Sequence, residues 1–196
     1  GRNHAFNGAL VRAVTAFKRR HPSRAMRVLD IGSGSGLLAM MAARAGADVV
    51  HSLEMVPALA AAAKHIVDVN GYSDRVTIHS IMSTDLDPEA IGGKFDLLVC
   101  EIVDDLLLGE SVLTTVADAR RRLLKPEATI IPQGGAIWAL AVEMLPPSPE
   151  GLDLAVLHEL NCCTALSANP NVSCKLQHHE GCYRRLAAPV RLLRFD

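Results

Sequence analysis

The feature that most constrains this chain is a glycine run set between two apolar segments. Met26 to Ile31 reads as a short strand, Gly32-Ser33-Gly34-Ser35-Gly36 follows at once, and Leu37 to Ala45 then reads as a helix. Closely spaced glycines let the backbone turn sharply and let a ligand approach it. In open α/β folds such a turn lies at the carboxyl end of the first strand, where ligands bind. The alternation continues with Asp48 to Leu53 as a strand, Pro57 to Val69 as an alanine-rich helix, and Val76 to Ile81 as a third strand. Phe95 to Cys100 is a fourth strand, almost wholly apolar as a strand buried on both faces must be. Val112, Val116, Ala119 and Leu123 give a helical pattern closed by Lys125-Pro126, and Ala128 to Ile131 and Ala136 to Val142 read as two further strands. Strands alternating with helices imply a parallel sheet covered on both sides.

Ahead of this pattern, Val11, Val14 and Phe17 recur at helical spacing until His21-Pro22-Ser23 stops them. Beyond Pro146-Pro147 the alternation ends in a tail rich in Cys, His, Asn and Pro. The expected organisation is an N-terminal helical segment over residues 1–25, a ligand-binding α/β core over 26–132 and an appendage over 133–196. A chain of 196 residues accommodates one such core and little more.

Several function classes are excluded early. The longest uncharged stretches, such as the 15 residues Ala128 to Val142, fall short of the roughly 20 apolar residues that span a bilayer, so no transmembrane helix and no membrane partner are expected. The net charge of −1 gives no general pull toward nucleic acid, and no direct nucleic-acid binding is expected. The five cysteines are odd in number and no secretory signal precedes them, which predicts free thiols in a reducing compartment, cytoplasmic or nuclear. Cys162, Cys163, Cys174, His178, His179 and Cys182 have the ligand types of a zinc site but contain no C-x-x-C pair, and no metal is expected. Met40 and Met41 are read as core filler and Trp138 as a packing residue. The chain begins with Gly rather than Met, and it is read as a portion of a longer protein.

The ligand is narrowed by acidic residues around the loop. A dinucleotide fingerprint would place its third glycine where Leu37 stands. Asp30, two residues before Gly32, suits a ligand bearing an ammonium or sulfonium group better than a pyrophosphate. Glu54 lies 18 residues past Gly36 at the end of the second strand, where a carboxylate can accept both hydroxyls of a ribose. This strand-D-x-G-x-G-x-G pattern with its acid resembles motif I of class I S-adenosylmethionine-dependent methyltransferases.

A second set of carboxylates follows the fourth strand, in Cys100-Glu101-Ile102-Val103-Asp104-Asp105-Leu106-Leu107-Leu108-Gly109-Glu110. Taken alone, Glu110 could be a charge favoured by a helix N-terminus, and Asp104 and Asp105 solvated loop. Two carboxylates facing one cleft also match a guanidinium, whose fork of donors suits bidentate partners. Glu101 and Glu110 resemble the double-E hairpin of the protein arginine methyltransferases. The strings VLDIGSGSGLLAMMAARAGA, LEMVPALAAAAKHIV and CEIVDDLLLGE look most like the protein arginine methyltransferase 7 branch, over Arg2 to Glu143.

That resemblance implies a Rossmann-like core followed by the beginning of a β-barrel with its dimerisation arm. It also implies S-adenosylmethionine as cofactor and S-adenosylhomocysteine as product, with arginine in protein substrates as acceptor and a homodimer or a heterodimer with a related subunit. Glu101 and Glu110 become the expected catalytic residues. Arg2 is expected to meet the cofactor's carboxylate, and Ser83 and Thr84 to bind its adenine, although many relatives have glutamate at Thr84. Asp30, Gly32, Gly34, Gly36 and Glu54 complete the expected cofactor site. The Thr-His-Trp loop of the family does not occur in this sequence, and Leu106 stands where the related subgroup often has an acid. The chain is therefore expected to be an incomplete enzyme. The competing readings are a non-catalytic partner of an active relative, or a methyltransferase for a small molecule or RNA.

Overall fold

A computed structural model describes residues 1–104, 107–144 and 183–195. Its helices are α1 Arg2–Arg20, α2 Leu37–Arg44, α3 Pro57–Val69 and α4 Val112–Arg122. Its first five strands are β1 Arg27–Ile31, β2 Val49–Leu53, β3 Val76–His79, β4 Phe95–Cys100 and β5 Leu124–Ile131, joined in one parallel sheet of order β3-β2-β1-β4-β5. Side-chain alternation divides the core in two, broken in β4 by the irregularity between Phe95 and Leu97. Val28, Val50, Leu97 and Val99 face Leu10 and Val14 of α1, Ala39, Ala42 and Ala43 of α2, and Val67 of α3. Leu29, Ile31, Leu53, Phe95 and Leu98 face the other way, toward Ala119 of α4 and Leu123. Every residue of β4 is buried, so each apolar side chain there contributes about 1.5–3 kcal/mol of transfer free energy.

The three alanines of α2 bring that helix close over β1, so its first turn stands directly on the glycine loop. Met40 and Met41 pack half-buried against the same core, as filler. The strand expected to begin at Ala128 begins instead at Leu124. Pairing slips there from Phe95↔Leu124 to Leu97↔Thr129, and the extra residues Lys125-Pro126-Glu127 are absorbed as a bulge. An edge strand tolerates Pro126, which has no N–H to give. The bulge also delivers Lys125 Nζ to buried Asp96 at 2.7 Å, beside Arg24 Nη2 and the Arg27 N–H, both at 2.9 Å.

A separate compact unit spans 136–195. Within it β6 Gly135–Ala139 pairs with β9 Val190–Phe195, and β7 Val142–Met144 pairs antiparallel with β8 Tyr183–Arg185. The single strand expected over Ala136 to Val142 is thus two, because its halves serve different ladders. Trp138, read from sequence as packing, is 59% exposed and lies under the Arg191 guanidinium, 5.9 Å from its ring centroid. The expected barrel concerns residues of which 145–182 lie outside the described set, and with them fall the cysteine and histidine cluster of the tail.

Candidate active site

The strand order reverses between β1 and β4, and the crevice at their carboxyl ends is where an open α/β sheet binds ligands. A cavity of about 610 Å³ opens there. Gly32 and Gly34 form one wall, Glu54 to Val56 and Ile81 to Ser83 the next, and Glu101, Glu110, Ser111 and Thr115 the far side. A smaller neighbouring hollow is lined by Arg2, residues 32–35 and again Glu101.

The loop is built for close approach. Gly32 has φ +87°, and a Cβ there would come within 2.8 Å of Ile102 Cγ2. The N–H groups of Gly32 and Ser33 both donate to Leu53 O at 2.9 Å, which locks the turn to the end of β2. At Gly34 nothing lies within 4 Å of the Cβ position, so its backbone stands open to the cavity. Gly36, expected at the ligand, is instead the N-terminal cap of α2. Its φ of +77° and a Cβ position 3.1 Å from Val67 Cγ2 tie it to helix packing, and it does not line the cavity.

Asp30 also departs from expectation. It alternates with Leu29 and Ile31, so its side chain turns beneath the loop, is fully buried, and does not line the cavity. Ser52 Oγ donates to its Oδ2 at 2.7 Å, and Ser33 Oγ lies 2.5 Å from Ser52 Oγ. Its Oδ1 has no hydrogen-bond partner among the described residues. Burial pushes the carboxyl up to about 7, against the Ser52 bond and with Glu54 adding repulsion. Asp30 therefore buttresses the glycine loop from below rather than meeting a ligand's charge.

Glu54 is positioned as the sequence suggested. The carboxylate is nearly buried, with Oε2 accepting from the Gly34 N–H and Oε1 from the Val56 N–H, each at 3.0 Å. Each oxygen keeps a lone pair for two adjacent hydroxyls. Ser83 lines the cavity while Thr84 does not: its Oγ1 bonds Asp85 Oδ1 at 3.2 Å on the surface. Successive side chains of the 3-10 turn Ser83–Asp85 point about 120° apart, so the two cannot face the cleft together.

Glu101 and Glu110 line the same cavity from either end of one loop. Asp104 shapes that loop, accepting the Gly109 N–H at 2.9 Å on Oδ1, while its carbonyl takes the Leu107 N–H at 2.9 Å. Leu107 and Ser111 adopt positive φ, 70° and 61°, as the chain turns into α4. Arg2 Nη1 donates to Glu101 Oε1 at 2.8 Å, so the arginine expected at a cofactor carboxylate rests on a site carboxylate here. Asp105 and Leu106 lie outside the described residues.

Residues 12–136 match the family model described as ribosomal protein L11 methyltransferase (PrmA). An arginine N(omega)-methyltransferase of Streptomyces achromogenes subsp. streptozoticus is 49% identical over 125 residues, covering 63% of this chain and 34% of that protein. A protein arginine N-methyltransferase 7 of Caenorhabditis briggsae is 33% identical over 211 residues, covering 100% of this chain and 31% of its own length. The chain belongs to the protein arginine methyltransferase family. It spans about a third of the length of these curated relatives. Among solved structures, the Trypanosoma brucei protein arginine methyltransferase 1 enzyme–prozyme heterotetrameric complex with AdoHcy superposes with a TM-score of 0.67 at 25% identity, covering 100% of this chain and 58% of that one. Arabidopsis thaliana protein arginine methyltransferase 10 gives 0.56 at 26%, covering 88% and 48%.

In this family member, Ile102, Ser111 and Thr115 are among the cleft groups that no motif marked. Ile102 stands under Gly32, and Ser111 and Thr115 line the cavity from the start of α4. The spacing of Ser111 and Thr115, one helical turn apart, was a legible signal; the reach of Ile102 into the loop was not.

Proposed function

We propose that this chain carries the S-adenosylmethionine-binding core of a protein arginine N-methyltransferase. The observation that carries the reading is that Glu54, Glu101 and Glu110 line one cavity opened by the glycine loop. The open backbone at Gly34 and the two free lone pairs of Glu54 fit such a cofactor, which when bound supplies a methyl group on a sulfonium. Gly32 and Gly34 would admit its amino-acid part, Glu54 would accept its ribose hydroxyls, Ser83 would stand at its adenine, and Arg2 would turn to its carboxylate. That turn would release Glu101 for the acceptor.

Glu101 and Glu110 would hold the acceptor guanidinium by charge-assisted bonds. A guanidinium stays protonated throughout the ordinary pH range, spreads its charge over three nitrogens and is a poor nucleophile. Carboxylates bound to two of those nitrogens draw the positive charge toward themselves, leave the third richer in electrons and fix its position. The Arg2 guanidinium resting on Glu101 supports this part of the reading, since that carboxylate already accepts a charge-assisted bond from an arginine.

A second acceptor is favoured by a specific observation: the Streptomyces relative is named for arginine and not for protein arginine. Labelled methyl transfer by the full-length protein to an arginine-rich peptide and to free arginine distinguishes the two. Transfer to the peptide supports the first reading, transfer to arginine alone supports the second, and neither, with S-adenosylhomocysteine still bound, points to a non-catalytic partner. An assembly of two or more subunits is proposed as well, by analogy with the heterotetrameric trypanosome complex, and light scattering on the full-length protein tests it.

A further inference from the structure

Arg122, the last residue of α4, holds the wall of the cleft from behind, and none of the roles assigned above uses it. Its Nη2 donates to Ser83 O at 2.9 Å and its Nη1 to Leu86 O at 3.1 Å. Its Nε donates to both oxygens of Asp118, one turn earlier, at 2.9 and 3.0 Å, and Nη2 adds a bond to Oδ2 at 2.5 Å. A single guanidinium therefore ties both ends of the 3-10 turn Ser83–Asp85 to α4, which itself brings Thr115 to the cavity.

The turn has little else to fix it. Its own backbone bonds are Asp85 N–H to Met82 O at 3.1 Å and Leu86 N–H to Ser83 O at a long 3.4 Å. Met82 is 49% exposed, and only Leu86 enters the core. Side-chain bonds from Arg122 and then Arg121 hold the Asp118 carboxyl well below the usual carboxylate range, so the clamp is charged at neutral pH. The planar fork matters as much as the charge, because it meets two carbonyls and a carboxylate at once.

We propose that Arg122, oriented by Asp118, is a positioning residue that sets the Ser83 wall of the cleft for the nucleoside end of the cofactor. This rests on the cofactor reading above. Neighbouring Arg121 supplies the control, since it bonds Asp118 Oδ1 at 2.9 Å from an exposed position.

The test is isothermal titration of S-adenosylhomocysteine into the full-length protein, well below the melting temperature of each variant. Arg122→Ala is expected to weaken binding about tenfold and Arg122→Lys about threefold, because an ammonium cannot span all three partners, while Arg121→Ala stays within about twofold. In activity assays the KM for S-adenosylmethionine should rise by the same factor with kcat unchanged. Equal affinity in wild type and Arg122→Ala overturns the inference, as does an equal loss in Arg121→Ala. Should Arg122→Ala fail to fold, Arg122→Lys carries the same test, and wild-type affinity in it overturns the inference. A wild type that binds no S-adenosylhomocysteine overturns the cofactor reading and this inference together.

Discussion

The two sides of the crevice are built differently. On the β1–β2 side the polar groups are buried and wired to one another: Asp30 to Ser52, Ser52 to Ser33, and Glu54 to the Gly34 and Val56 N–H groups. On the side after β4, Glu101 is partly exposed, Glu110 is exposed, and the loop between them is turned by Asp104 and two residues of positive φ. Removing the polar end of a buried group leaves its partner unsatisfied, which costs about 1–3 kcal/mol each. Exposed carboxylates carry no such cost, so the second side is free to serve chemistry without supporting the fold.

The largest expected effect would break that contrast if it failed. Glu110→Gln should lower methyl transfer by about 10²–10³-fold, the scale of losing one preorganised electrostatic contact. S-adenosylhomocysteine affinity should stay within a few fold and the melting temperature should barely move; an active variant in a transfer assay would sink the assignment. Glu54→Gln probes the opposite side. The amide keeps one acceptor but sets N–H groups against a backbone N–H, so cofactor affinity should fall about tenfold by calorimetry and stability should fall with it. Stability unchanged alongside lost affinity would remove the coupling claimed for the buried side.

Gly32→Ala is expected to act mainly on the fold. A left-handed backbone costs an alanine about 1–2 kcal/mol, and Ile102 must also yield to the new Cβ. The melting temperature should drop by about 2–8 °C at this chain length.

The smallest effects are in pH dependence, and two buried groups pull in opposite directions. Asp30 is raised from 3.8 to about 7 in the fold, so the native state binds the extra proton between those values. Its contribution to stability is complete below the lower value and is lost as pH rises through about 7. Asp30→Asn should therefore melt higher than wild type at pH 8 and alike at pH 4. His51 sits between His79, whose Nε2 lies 2.8 Å from its Nδ1, and the edge of Phe95, and burial lowers it from 6.5 to about 4. Its neutral form is what the fold favours, so stability is complete above 6.5 and is lost as pH falls toward 4. His51→Phe should flatten that acid limb of the melting curve, and an unchanged limb would assign it elsewhere.

Much of the fold was legible because its strands and helices carry their own periodicity. Pro57–Val69 and Phe95–Cys100 have the bounds their patterns indicated, one from alanine-rich helical spacing after a proline, the other from six residues buried on both faces. What escaped pattern reading depended on neighbours far along the chain. Lys125-Pro126 looked like a terminator and became a bulge because β4 and Asp96 were there to receive it. Arg122 follows two other arginines in the last turn of α4, with no local mark to set it apart, and its work is done on carbonyls 36 and 39 residues earlier.

The sequence by itself determined that a strand, a glycine loop and a helix would open a parallel sheet, and that Glu54, Glu101 and Glu110 would follow the ends of strands. Local propensity and the polarity of parallel strands suffice for that, since every strand end must emerge on one side of the sheet. Which way each side chain then turned was decided only in three dimensions. Asp30 went under the loop, Gly36 against α3 and Thr84 to the surface because alternation, close packing and the 3-10 turn left each a single direction, and those constraints exist only once the elements meet.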